Sequence, residues 1–89
     1  MSYIFNFFLL YLFLKRTYKK CKKIKSKYLD LFTSNEIIIT NDLERKIEEK
    51  LNQFSLLYSS KKELVNLTQS IMFYFQFTIG KIVDRIELP

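Results

Sequence analysis

The sequence contains no histidine, tryptophan or alanine, and it has one cysteine, one glycine and one proline. A lone cysteine excludes a disulfide within the chain, and zinc sites of the usual Cys/His type need more ligands than it offers. Histidine, the commonest general base, is missing, and a single glycine does not make a phosphate-binding loop. We therefore predict that the chain is not an enzyme and has no catalytic, cofactor-binding or metal-ligating residues.

The abundant residues are those with AT-rich codons. Phe, Tyr, Met, Ile, Asn and Lys supply 44 of the 89 residues, whereas Gly, Ala, Arg and Pro together supply five. This composition resembles that of mitochondrially encoded subunits from AT-rich protist genomes. AT-rich bacteria, phages and parasites share the bias, so the resemblance is one of composition and brings no family motif with it.

Length and charge both indicate one part of a larger assembly. A chain of 89 residues forms at most one domain, and the 57 residues that follow the N-terminal 32 would bury only about 60% of their surface. The net charge of +6 is divided unevenly, because residues 1–29 carry eight bases and no acid. Residues 30–89 have an ordinary mixture of both signs. We expect other protein subunits as partners, together with a polyanion at the basic end.

An almost unbroken apolar segment occupies residues 3–14. As a helix it spans about 18 Å, less than the roughly 30 Å of bilayer hydrocarbon. No base precedes it and no small-residue cleavage site follows, which argues against a secretory signal. Exposing its side chains would cost on the order of 20 kcal/mol. We predict that lipid or a protein partner covers eleven residues: Tyr3, Ile4, Phe5, Phe7, Phe8, Leu9, Leu10, Tyr11, Leu12, Phe13 and Leu14.

A basic block without any acid follows between residues 15 and 27. Beside a membrane it fits the positive-inside rule, and each base adds about 1 kcal/mol of attraction to anionic headgroups. On RNA the bases would neutralise phosphates, while Tyr18 and Tyr28 would stack on unpaired bases. The predicted contacts to anionic headgroups or RNA are Lys15, Arg16, Lys19, Lys20, Lys22, Lys23, Lys25 and Lys27.

Residues 1–32 are predicted to form one long helix that is apolar at first and basic afterwards. Thr33–Asn35 would end it, and residues 33–41 would be a linker or short strand because Ile37–Ile39 is β-branched. The basic surroundings of Cys21 would favour its thiolate, although a lone cysteine on a helical seam usually packs. The predicted seam comprises Leu14, Thr17, Cys21, Ile24, Tyr28 and Leu31.

Residues 42–89 are predicted to form a pair of amphipathic helices that packs on partners. Capping boxes at Asn41–Glu44 and Ser60–Glu63 would begin the two helices. The carboxylates of the first helix are expected to form a solvated face rather than an acid/base pair. The expected buried face of the second helix comprises Leu64, Ile71, Phe75, Ile82 and Ile86.

A β-hairpin is the alternative for the last third of the chain. Apolar and polar residues alternate over 73–80, which is typical of a strand, and Gly80–Lys81 would be a two-residue turn. The main prediction is a mainly α fold, with α+β as the alternative.

Two stretches, Lys61–Leu67 and Phe75–Ile82, resemble in part the helical hairpin of the small large-subunit ribosomal protein near the polypeptide exit tunnel. Their spacing differs from that family's, so no residue role is carried over.

These features favour a non-catalytic accessory subunit of a mitochondrial inner-membrane complex, in the respiratory chain or the ATP synthase. The basic block would face anionic lipid headgroups on the matrix side. One alternative is a mitochondrial ribosomal protein in the matrix, which binds rRNA through the basic helix. A second alternative is a small membrane protein of a phage or parasite.

Overall fold

A computed structural model describes residues 2–53 and 61–86, with side chains from Phe8 onwards. In this part of the chain all regular structure is helical: α1 is Ser2–Lys27, a 3₁₀ turn covers Leu29–Leu31, α2 is Ser34–Gln53 and α3 is Lys61–Arg85. The predicted mainly α fold is confirmed.

The hairpin alternative is wrong, because its turn and both of its strands as far as Arg85 lie inside α3. Gly80 is helical, and a Cβ at this position would meet nothing within 4 Å. The buried side chains of α3 recur every three or four residues, which is the helical period. They are Leu64, Leu67, Ile71, Tyr74, Thr78 and Ile82. Phe75, expected on this face, is exposed instead.

The junction between α1 and α2 differs from the prediction in its position and its chemistry. α1 ends at Lys27, where the amide of Tyr28 donates to the carbonyls of Ile24 and Lys25 at 3.2 and 3.1 Å. A capping box then begins α2. The amide of Glu36 donates to Thr33 Oγ1 at 3.2 Å, and the amide of Thr33 donates to Glu36 Oε1 at 3.0 Å.

The predicted linker or strand over residues 33–41 is therefore wrong, since α2 starts at Ser34 and contains Ile37–Ile39. Strand propensity is a weak preference that local capping and tertiary packing override. The hydroxyl of Thr40 bonds the Glu36 carbonyl at 2.9 Å, and its side chain is fully buried. The cap predicted at Asn41–Glu44 is also wrong, because both residues lie in the middle of α2. Ser60 lies outside the described residues.

Three contacts define the topology. The hydroxyl of Tyr11, in the first half of α1, donates to the carbonyl of Leu51 near the end of α2, so these helices are antiparallel. Arg85 at the end of α3 contacts Glu36 at the start of α2, so this pair is also antiparallel. Arg85 also reaches the carbonyl of Leu31 at 3.0 Å, which makes α3 parallel to α1.

α3 packs closely against both α1 and α2, whereas α1 and α2 approach each other less closely. The inner face of the helix pair that was predicted to pack on partners is thus covered by α1. The prediction that lipid or a partner covers Leu14 is wrong, because this residue belongs to the chain's own core. That core comprises Leu14, Tyr18, Cys21, Ile47, Leu51, Leu64, Leu67, Ile71 and Tyr74.

The carboxylate of Glu36 ties the start of α2 to the end of α3 at one end of the bundle. Besides its part in the capping box, it forms hydrogen-bonded ion pairs with the guanidinium of Arg85 and lies 3.4 Å from Lys81 Nζ. The hydrogen bonds from Arg85 lower the pKa of Glu36 from 4.5 to about 2, and the Thr33 amide acts in the same direction.

We expect this carboxylate to make the stability of the fold depend on acid pH. A depressed pKa means that the stabilisation is complete above about pH 4.5 and is lost as the pH falls towards 2. Thermal unfolding followed by circular dichroism between pH 2 and 7 measures it. Wild type should unfold at a higher temperature than Glu36→Gln at neutral pH, and the two should converge near pH 2. A constant difference between them, or the same loss in Glu49→Gln, would contradict this assignment.

Candidate polyanion-binding surface

α1 presents two opposite stripes along its length. The inner stripe is buried in the bundle and consists of Leu14, Tyr18, Cys21 and Lys25. It shares Leu14 and Cys21 with the predicted seam but not Thr17, Ile24 or Tyr28, of which Ile24 is exposed. The predicted seam was chosen mainly for its apolar residues. The inner stripe instead buries the apolar parts of Tyr18 and Lys25 and pairs their polar ends with other polar groups.

The outer stripe runs along the exposed side of α1, and its six members are spaced alternately by four and three residues. It consists of Leu9, Phe13, Arg16, Lys20, Lys23 and Lys27, all exposed. From first to last it extends for about 27 Å along the helix. α1 contains no acidic residue, so one continuous face changes from apolar to basic without an intervening negative charge.

The predicted basic contacts divide into three groups. Five are exposed, namely Arg16, Lys19, Lys20, Lys23 and Lys27. Lys15 and Lys22 are half-buried at the side that faces α2. Lys25 is only 5% exposed, so the prediction that it contacts headgroups or RNA is wrong. Tyr18 is buried as well, which excludes its predicted stacking on unpaired bases.

The predicted apolar contacts also divide. Phe8, Leu9, Leu10 and Phe13 are exposed, with Phe13 at 64%, while Tyr11 and Leu12 are half-buried. Tyr3, Ile4, Phe5 and Phe7 lie outside the residues whose side chains are described. The bundle thus leaves an apolar patch beside the basic one on the same helix.

A buried ion pair holds α1 against α2. Lys25 Nζ lies 2.7 Å from Glu44 Oε2 and donates a second hydrogen bond to Asn41 Oδ1 at 2.9 Å. The hydroxyl of Tyr74 on α3 donates to the same Glu44 oxygen at 2.6 Å. Glu44 was predicted to lie on a solvated face, and that prediction is wrong because the residue is only 8% exposed. These bonds join all three helices at one carboxylate.

A second polar cluster lies beside the first. The hydroxyl of Tyr18 donates to Glu48 Oε2 at 2.5 Å, and Lys22 Nζ lies 3.2 Å from the same oxygen. The bond from Tyr18 lowers the pKa of Glu48. Burial raises the pKa of both Tyr18 and Tyr74, reinforced by their bonds to Glu48 and Glu44 respectively. Both phenols are therefore hydrogen-bond donors and not acids, and the cluster serves packing.

Cys21 is a core residue and not a reactive thiolate. It is 1% exposed, and burial raises its pKa to about 11, with the charge of Glu44 acting in the same direction. Lys25 opposes this shift without reversing it. The expectation that neighbouring bases would favour the thiolate is wrong, because most of these bases point away from the core.

Within residues 2–53 and 61–86, no group of three or more metal-ligating side chains is close enough to hold an ion. No helix of this part of the chain is long and apolar enough to cross a membrane. The outer stripe is the candidate site because it is a long exposed face with four bases and no acid. It is suited to binding an extended polyanion, and its apolar end is suited to a hydrophobic neighbour.

The sequence is similar in part to a long yeast protein. Over 80 aligned residues, which cover 82% of this chain, it is 36% identical to Protein MLP1 of Saccharomyces cerevisiae. The chain spans 4% of the length of that protein, so the similarity carries no activity or partner across. No protein-family model matches the sequence, and no solved structure matches it significantly.

The ion pair of Lys25 with Glu44 can be tested by a rescue experiment. Lys25→Met should cost about 3–5 kcal/mol of unfolding free energy, because it leaves a buried carboxylate without its cation. Adding Glu44→Gln should restore much of the loss, since a neutral amide still accepts the Tyr74 hydrogen bond. Urea denaturation measures both variants. The control is Lys27→Met on the exposed face, expected to change stability by about 0.5 kcal/mol or less. Equal effects of Lys25→Met and Lys27→Met would show that the pair is not buried.

Proposed function

We propose that this protein is a non-catalytic accessory subunit of a mitochondrial inner-membrane complex, which it joins by laying the outer stripe of α1 on the matrix-side membrane surface. The observation that carries the proposal is the continuity of apolar and basic residues on one exposed helix face. Amphipathic helices that lie in a membrane interface combine these two parts, with apolar side chains inserted and bases against anionic headgroups.

The energy of such contacts fits a peripheral attachment. Four bases at about 1 kcal/mol each contribute about 4 kcal/mol, and partial insertion of Leu9 and Phe13 adds to it. The electrostatic part alone corresponds to a dissociation constant on the order of 1 mM, and insertion of the two apolar side chains lowers that constant. Attachment by this face alone is therefore reversible, and contacts with neighbouring subunits would supply the remaining affinity.

Exposed apolar residues on the other helices support the part of the proposal that concerns neighbouring subunits. Met72, Phe73 and Val83 on α3 and Ile38 on α2 are all exposed in the isolated chain. The mitochondrial setting rests on the composition, which resembles that of mitochondrially encoded subunits. The respiratory chain and the ATP synthase are the candidate complexes.

Vesicle binding tests the role of the outer stripe. The full chain should cosediment with vesicles that contain 30% phosphatidylglycerol and much less with pure phosphatidylcholine. Changing Arg16, Lys20 and Lys23 to Gln should weaken binding about 150-fold, from about 1 kcal/mol per base. The matched control changes Lys46, Lys61 and Lys62 to Gln, which removes the same charge from α2 and α3. Equal losses in the two variants would show that net charge, and not the stripe, determines binding.

A mitochondrial ribosomal protein is the second candidate function. It is favoured by the same row of bases, because a helix face with four exposed bases and no acid also suits an RNA backbone. In this case the apolar end of α1 would be buried against ribosomal proteins.

Fractionation of mitochondria separates the two functions. Detergent extracts are resolved by sedimentation and native electrophoresis, with and without ribonuclease. Comigration with an inner-membrane complex, unchanged by ribonuclease, is expected. Ribonuclease-sensitive cosedimentation with a ribosomal subunit would instead establish the second function.

A further inference from the structure

A cleft of about 300 Å³ lies between α1 and α2. It exists because α3 keeps these two helices apart, so that long side chains bridge a gap that the backbones do not close. Its walls include Tyr11, Lys15, Lys19, Lys22, Glu48 and Asn52. The cleft lies to one side of the outer stripe and shares no residue with it.

The charges in this cleft do not cancel. Glu48 is its one acidic residue, and that carboxylate is already bonded by Lys22 and Tyr18. Lys15 and Lys19 form no ion pair with any described residue. The cleft therefore has two cations at its wall, Lys15 and Lys19, that are available to an anion. Lying four residues apart on one helix, they are separated by about 6 Å along its axis.

One face of α1 leads from the two lysines of the cleft to apolar side chains nearer the N-terminus. Phe8, Tyr11, Lys15 and Lys19 follow one another at spacings of three and four residues, so they share one face of α1. Phe8 is exposed at the N-terminal end of this face. An anionic group between the two lysines would thus have an apolar surface directly beside it, as an acyl chain requires.

We propose that this cleft binds the headgroup of an anionic phospholipid that carries two phosphodiester groups, one phosphate near Lys15 and one near Lys19. The two negative charges match the two positive charges of Lys15 and Lys19, and a cleft of about 300 Å³ holds on the order of ten waters, enough for such a headgroup. This inference rests on the proposed membrane attachment. It adds recognition of a particular headgroup to the general attraction of the stripe.

The test compares two kinds of vesicle with equal surface charge, one with cardiolipin at 15% and one with phosphatidylglycerol at 30%. Wild type should prefer cardiolipin about tenfold, because two defined ion contacts add to the diffuse attraction. Lys15→Gln with Lys19→Gln should remove the preference. The matched pair Lys20→Gln with Lys23→Gln lies on the outer stripe and should weaken binding to both vesicles while keeping the preference.

The remaining outcomes of the vesicle test bear separately on the cleft and on the proposed function. Binding to both vesicles without a preference, or a preference that survives the cleft variant, overturns the cleft assignment and leaves the proposed function standing. No binding to either anionic vesicle overturns both.

Calorimetric titration with inorganic pyrophosphate should show no binding at 1 mM. Binding there that the cleft variant abolishes would assign the cleft to a free phosphate compound. A larger loss of single-stranded RNA binding in the cleft variant than in the stripe variant would assign the cleft to RNA.

Discussion

The buried carboxylate of Glu44 is the constraint around which the three helices are arranged. Removing this charge from water is expensive, and only well-placed hydrogen bonds from Lys25 and Tyr74 offset the cost. Sliding α1 by one residue along α2 would leave the lysine and the carboxylate buried apart from each other. The pair therefore selects one register in a bundle whose remaining core is largely apolar, and apolar contacts alone discriminate poorly between registers.

That register decides which face of α1 is left to solvent. With Leu14, Tyr18, Cys21 and Lys25 directed inwards, the opposite side of the helix carries Leu9 and Phe13 and then a row of bases. One helix of 26 residues therefore contributes one face to the core and supplies the candidate binding surface with the other. The two roles occupy opposite stripes, so a change on the outer stripe leaves the packing of the bundle untouched.

The helical class and the position of the basic block on the first helix could be predicted from the sequence, because three-and-four spacing and a block of like charge are local signals. Three features could not be predicted in that way. Lys25 and Glu44 look like surface residues until their partner on another helix is known. Ile37–Ile39 has the propensity of a strand, and only the pairing of Thr33 with Glu36 shows that a helix has begun. Phe75 and Tyr74 are adjacent aromatic residues, and the helix that buries one exposes the other.

Glu36 combines a local role with a distant one, and the two become available at different times during synthesis. Its contact with Thr33 joins residues three positions apart and needs only the first turn of α2. Its contact with Arg85 must wait for another 49 residues. The same carboxylate thus caps the start of α2 and also bonds the last turn of α3. The closing of the bundle is therefore a late step, which a chain that lacks α3 cannot complete.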